Sequence, residues 1–225
     1  MRMEPAELVV GVLGGTGAQG KGLAYRFALA GQQVLLGSRD AERAKGVADE
    51  LTAQLPEGLS VRGAANTDVA AEADVVIVAV PWDGHGATLE SLREPLRGKI
   101  VVDCVNPLGF DKQGAYALDV PEGSAAQQAA AILPESRVTA SFHHVSAVLL
   151  ADPAVDSIDT DVLVLGDDRE ATDLVQALAG RITGVRGIYA GRLRNARQVE
   201  AFTANLISVN RRYKAHAGIR VTDVQ

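Results

Sequence analysis

The chain has 225 residues, 47% hydrophobic and 22% charged, with a formal net charge of −6. That is ordinary globular composition, enough for one large domain or one domain with a small appendage, and the negative balance argues against a nucleic-acid partner. Cys104 is the single cysteine, so no internal disulfide framework exists, and with no signal-like N-terminus and no apolar run of membrane-spanning length the expectation is a cytoplasmic protein without a membrane partner.

Leu8 to Leu13 is an apolar run that leads into glycines and predicts a buried parallel strand. From Gly20 to Ala30 the spacing is helical, with Leu23, Phe27 and Ala30 on one side and Gly31 as the stop. Gln33 to Gly37 reads as the second strand. Asp40 to Leu55 reads as a helix closed by Pro56 and Gly58, and Leu59 to Gly63 as a weak third strand. Asp74 to Val80 is a buried strand stopped by Pro81. A short helix over Thr88 to Leu96 and a strand over Lys99 to Cys104 follow. Asn106 to Gly123 is rich in Gly, Pro and Asp and reads as a loop. The remainder predicts a helix at 124–133, strands at 137–142 and 161–165, and a helix at 169–179. A strand within 181–189 and one long helix from Arg192 to about Ala217 complete it.

This alternation predicts an α/β fold: a Rossmann-type, doubly wound, mainly parallel sheet with a small C-terminal helical extension. Residues 1–190 are expected to form the dinucleotide-binding domain and 191–225 a terminal helix. Right-handed crossovers would bring every strand's carboxyl end to one edge, where ligands bind.

Gly15-Thr16-Gly17-Ala18-Gln19-Gly20 is a GxGxxG segment between the first strand and the first helix. In that context it predicts a dinucleotide phosphate site. Gly15 would permit the tight turn, Gly17 the approach of the pyrophosphate, and Gly20 close packing of helix on strand. The helix N-terminus would hold the phosphates.

The second strand runs into Gly37-Ser38-Arg39-Asp40-Ala41-Glu42-Arg43. A domain selective for NAD normally carries an acid here for the ribose 2′-hydroxyl. Ser38 and Arg39 stand there instead, and Arg43, four residues on, would share a face with Arg39 if the helix starts there. Guanidinium groups attract a 2′-phosphate, which predicts NADP(H). Asp40 is expected to cap the helix.

Val80-Pro81-Trp82 should lie on the ligand edge near the nicotinamide. Pro81 offers a rigid apolar wall; Trp82 is either a stacking surface or a cap on the core. Ser141-Phe142-His143-His144-Val145-Ser146-Ala147 follows a later strand on the same edge. Without a third ligand at suitable spacing, no metal site is expected at the histidines. His143 is read as a hydrogen-bonding group for a second substrate, or as a structural histidine. Cys104 should be a buried, inert thiol.

Together these segments resemble one family. Gly14 to Leu23, Gly37-Ser-Arg, Val80-Pro-Trp, Ser141-Phe-His-His and Gly191-Arg-Leu-Arg-Asn-Ala-Arg are similar to the NADPH-dependent reductases of the 8-hydroxy-5-deazaflavin coenzyme F420. The resemblance runs from about Leu8 to Arg212. It implies an oxidoreductase that passes a hydride between NADP(H) and coenzyme F420. It also implies Thr16, Gly17, Ala18 and Gln19 at the pyrophosphate, and Ser38, Arg39 and Arg43 at the 2′-phosphate. Val80 and Pro81 would lie near the nicotinamide, Ala147 at its carboxamide, and catalytic His143 beside the deazaflavin. The family is dimeric, which implies a homodimer with the C-terminal helix at its contact.

The residues after the sheet are too few for a large all-helical substrate domain, so the second reactant would bind on the nucleotide domain itself. Hydride transfer between two coenzymes asks the protein mainly to hold two rings face to face, in keeping with the lack of an evident nucleophile or carboxylate pair. The alternatives are an NADPH-dependent imine, flavin or metal reductase, and a non-catalytic NADP sensor.

Overall fold

In the computed structural model, which describes residues 4–224, the chain threads a strand order that reverses once. Strands β1 (Val9–Leu13), β2 (Gln33–Ser38) and β3 (Val61–Ala65) step outward to one side. The chain then returns to β4 (Val75–Val78), which pairs with the other side of β1, and continues outward through β5 (Ile100–Asp103) and β8 (Arg137–Ala140). The reversal between β1 and β4 leaves a crevice at their carboxyl ends, the usual ligand position in such sheets.

Both sheet faces are covered. In β4, Val75 and Ile77 enter one apolar core while Val76 and Val78 enter the other, as the two-residue period of a strand requires. Helices α1 (Ala18–Leu29), α2 (Ala41–Thr52) and α7 (Arg169–Ala179) send Leu23, Val47 and Val175 into the first core. Helices α3 (Asn66–Glu72), α4 (His85–Ser91), α5 (Ala125–Ile132) and α8 (Ala196–Tyr213) send Val69, Leu89, Ala129 and Val199 into the second. This is the doubly wound α/β fold predicted from the alternation of elements.

The single-edge expectation fails at the last two strands. β9 (Thr160–Gly166) pairs antiparallel with β8 through Thr139↔Gly166 and Ala140↔Leu165, and β10 (Val185–Gly191) runs parallel to β9. The cause lies in residues 141–159. The short helix α6 (Ala147–Ala151) does not carry the chain back across a sheet face; it packs on α1. The Arg26 guanidinium donates to the carbonyls of Leu149, Leu150, Asp152 and Val155, and a Cβ on Gly22 would lie 2.5 Å from Leu150 Cβ. The chain therefore re-enters the sheet from the edge it left, which reverses its direction. Two further differences are local: α3 has no side-chain cap to mark it, and the expected loop at 106–123 contains a hairpin, β6 (Leu108–Asp111) with β7 (Gly114–Ala117). Among the described residues no helix is long and apolar enough to cross a membrane.

Candidate active site

The glycine loop sits at the strand-order reversal and touches each neighbouring segment of the ligand edge. Gly15 N–H donates to Gly37 O at 2.9 Å, joining the loop to β2. A Cβ on Gly14 would lie 2.8 Å from Ala79 O and 2.9 Å from Val80 Cγ1, so the loop abuts the end of β4. Gln19 Nε2 donates to Phe142 O at 3.1 Å, tying α1 to the segment after β8.

The glycines divide their work differently from the sequence expectation. The left-handed residue of the turn is Gly14, at φ 68°, not Gly15. Gly15 is needed for space: its Cβ would lie 2.6 Å from Leu36 Cγ. Gly20 allows α1 to meet the loop, since its Cβ would lie 2.7 Å from Gly15 Cα. Gly17 is unlike both, because the nearest protein atom to its Cβ would be Gly14 O at 3.5 Å. The open space there faces outward: Gly17 and Ala18 are exposed. Gly17 is also the N-cap of α1 and supplies no side-chain cap, whereas Asp40, Ser124 and Asp168 cap α2, α5 and α7. The first turn of α1 thus presents backbone N–H groups to solvent at the crevice, a setting suited to an anion.

Beyond β2, Asp40 is committed to the fold, as expected: Oδ1 accepts from the N–H groups of Glu42 at 3.0 Å and Arg43 at 3.2 Å. Ser38 is buried, and its Oγ accepts from Asp40 N–H at 3.2 Å, which leaves its hydroxyl proton free to donate. Arg39 and Arg43 are exposed. Neither guanidinium meets a carboxylate among the described residues.

The segments after β4, β5 and β8 bury several polar groups. Pro81 is exposed and Trp82 half-buried. Trp82 does pack on the second core. Phe142 takes φ 62°, a strained value for a non-glycine residue. Its ring meets Phe27 edge-on at 5.9 Å. The carbonyl of His143 accepts from Asn106 Nδ2 at 2.9 Å and from Thr203 Oγ1 of α8 at 3.4 Å. His143 is 4% exposed, and neither ring nitrogen has a partner among the described residues. Burial holds its pKa down at about 4, so the ring is neutral near neutral pH. His144 is buried alongside, its pKa likewise held at about 4 by burial, and its Nε2 accepts from Leu163 N–H at 3.4 Å. Ser146 caps α6, whose first residue is Ala147. Cys104 is buried and donates to Val78 O, and burial pushes its thiol pKa well up. No group of three His, Cys, Asp or Glu side chains able to hold a metal occurs among the described residues.

Residues 9–107 match the family model described as NADP oxidoreductase, coenzyme F420-dependent. The F420-dependent NADP reductase of Methanothermobacter thermautotrophicus is 43% identical, over 96% of this chain and 95% of that one. The chain belongs to the F420-dependent NADP reductase family. The reductase of Methanocaldococcus jannaschii is 38% identical over 96% of this chain and 99% of its own. A crystal structure of a candidate F420-dependent NADP reductase from Arthrobacter sp. FB24 superposes with a TM-score of 0.80 at 30% identity, covering 96% of this chain and 99% of that one.

In this member of the family, several polar residues beneath the ligand edge escaped the motifs. Arg26 anchors α6, and Asn106 with Thr203 fixes the His143 carbonyl. His85, Asp103 and Glu200 form a buried charged cluster below Trp82. They carry no pattern of their own, because the partners lie on different elements far apart in sequence. The one local signal is that His85 follows Trp82 by three residues.

Proposed function

We propose that this chain is an oxidoreductase that passes a hydride between NADP(H) and coenzyme F420. Full-length similarity to F420-dependent NADP reductases carries the reading. When bound, the two coenzymes supply the reaction between them, from the nicotinamide carbon to the C5 carbon of the deazaflavin or back.

The residues present fit a dinucleotide. The space that a Cβ on Gly17 would enter is free of protein atoms, and the first turn of α1 opens on it. Thr16, Gly17, Ala18 and Gln19 hold the pyrophosphate, with Gly15 and Gly20 shaping the loop. Ser38, Arg39 and Arg43 hold the 2′-phosphate through charge-assisted hydrogen bonds. Val80, Pro81 and Trp82 form the wall for the nicotinamide, and the backbone of Ala147 binds its carboxamide. The buried, unpartnered ring of His143 fits a neutral hydrogen-bonding group for the second heterocycle. The remaining task of residues 1–190 is to hold the rings in contact and exclude water.

The same reading makes the enzyme a cytoplasmic homodimer. Phe202, Val209 and Tyr213 on α8 (within 191–225) are exposed, as are Phe110 and Tyr116 of the hairpin packed against that helix. Large exposed apolar groups on two elements in contact support a contact surface there.

Mixing purified protein with NADPH and oxidised F420 tests the function. Loss of the visible deazaflavin absorbance, dependent on both protein and NADPH, is the expected outcome. No loss at any pH from acid to neutral contradicts the assignment.

A further inference from the structure

One buried charged cluster has no part in the reading above. His85 and Asp103 are both 0% exposed, with His85 Nε2 2.6 Å from Asp103 Oδ2. The other ring nitrogen, Nδ1, lies 2.9 Å from Gln128 Oε1. Gln128 Nε2 donates to Glu122 Oε2 at 3.3 Å, which turns the amide oxygen toward the imidazole. A carboxylate oxygen and an amide oxygen only accept, so both ring nitrogens carry hydrogen and His85 is an imidazolium. Burial opposes that charge. The Asp103 carboxylate, with Gln128 and the more distant Glu200, outweighs it and raises the His85 pKa. The second Asp103 oxygen accepts from Val105 N–H at 3.1 Å.

A dry ion pair is a poor device for stability alone, since apolar replacements often do as well. This one occupies a particular place. Asp103 ends β5, next to β4, and His85 opens α4 three residues after Trp82 of the Val80-Pro81-Trp82 segment. The Trp82 ring lies over the imidazole, centroids 5.5 Å apart and planes inclined by 32°. A cation beneath an aromatic face attracts it.

We propose that His85 is a positioning residue for hydride transfer: locked between Asp103 and Gln128, it holds the Trp82 indole, and with it the Val80–Pro81 wall, where the nicotinamide must lie. The proposal rests on the function stated above. Its effect is on ring geometry, not on coenzyme affinity, because the phosphate contacts lie elsewhere on the edge. Misplacement by about an ångström can cost on the order of 100-fold in rate.

Trp82 is the chain's single tryptophan, so tryptophan emission comes from the side chain that meets His85. An imidazolium against an indole quenches emission; Trp82 emission should therefore rise as His85 loses its proton, with a midpoint above the ordinary histidine value of about 6.5. The charged groups facing the pair are Asp103 from β5, Glu200 from α8 and, through Gln128, Glu122 before α5; neutral His143 also faces Asp103. Glu200, raised by burial to about 7, is the competing source of a transition. The test compares wild type with His85→Phe and Asp103→Asn. In His85→Phe the emission transition should vanish and kcat for F420 reduction should fall by about 10- to 100-fold, with NADPH Kd within about threefold. In Asp103→Asn, which keeps the shape but removes the charge, the transition should move to lower pH and kcat should fall. A transition unchanged in His85→Phe would belong to Glu200 and overturn the proposal, as would wild-type kcat in that variant. If His85→Phe does not fold, Asp103→Asn decides, and an unmoved midpoint with wild-type kcat overturns it. Failure of the wild type to reduce F420 would sink the function itself and leave the fluorescence result standing.

Discussion

At the β2 end of the ligand edge, Arg39 and Arg43 are exposed, with no carboxylate partner among the described residues. At the β5–β8 end, His85, Asp103, His143, His144 and Glu200 are at most 4% exposed. On the proposed function, the two ends would therefore bind by different means. The β2 end would use backbone N–H groups and free side-chain charges to bind phosphate, with little contribution to the fold. The ring end of that reading would use polar groups built into the core, which would couple positioning, protonation and stability. Changes at the first end should alter affinity and spare stability; changes at the second should alter stability, rate and their pH dependence.

The largest expected effect is on the acid side. His143 and His144 stay neutral to about pH 4 in the folded chain, against about 6.5 unfolded. Between those values the unfolded chain binds the extra protons. Their contribution is complete above about pH 6.5 and falls as pH drops. Glu200, raised to about 7, and His85, also raised, have the opposite sign. Their folded forms keep protons longer, so their contribution is present at low pH and lost as pH rises, from about 4.5 for Glu200 and about 6.5 for His85. Two histidines outweigh one carboxyl, giving a net loss of about 2 kcal/mol between pH 6.5 and 4.5, and a stability maximum near pH 6.5. Urea unfolding across that range checks it, and a flat profile would mean that the ring end is not coupled to the fold in this way.

A smaller effect separates two glycines of one loop. A Cβ on Gly20 meets backbone at 2.7 Å, so Gly20→Ala should destabilise by about 1–3 kcal/mol. Gly17 has φ −80° and no protein atom nearer its Cβ than 3.5 Å. Gly17→Ala should therefore change stability by less than about 0.5 kcal/mol while weakening NADPH binding. Thermal unfolding and a binding titration, run together, distinguish the two. Equal stability losses would erase the division of labour between them.

The same contrast governs what the sequence makes legible. The phosphate end is contiguous: strand, glycine loop, helix, second strand and Ser38-Arg39 follow within one stretch, and each has a local physical signature. Even there, the left-handed residue of the turn is Gly14 and not Gly15, because a positive φ depends on how the turn meets β4. The ring end is assembled from distant residues. Gln19 reaches Phe142, Asn106 and Thr203 reach His143, and His85 reaches Asp103. None of these pairs has a spacing that sequence could reveal. The reversed β9 and β10 were hidden for the same reason, since their direction follows from Arg26 and Gly22 holding α6 at the edge the chain had just left.

The most direct test of the account is coenzyme selectivity in the Arg39→Ala/Arg43→Ala double variant. Loss of two charge-assisted contacts to a 2′-phosphate should weaken NADPH binding by on the order of 100-fold. NADH binding and thermal stability should stay near wild type, so the selectivity ratio collapses. Equal losses for NADPH and NADH, or no loss for either, would contradict the central claim that these guanidinium groups read the phosphate.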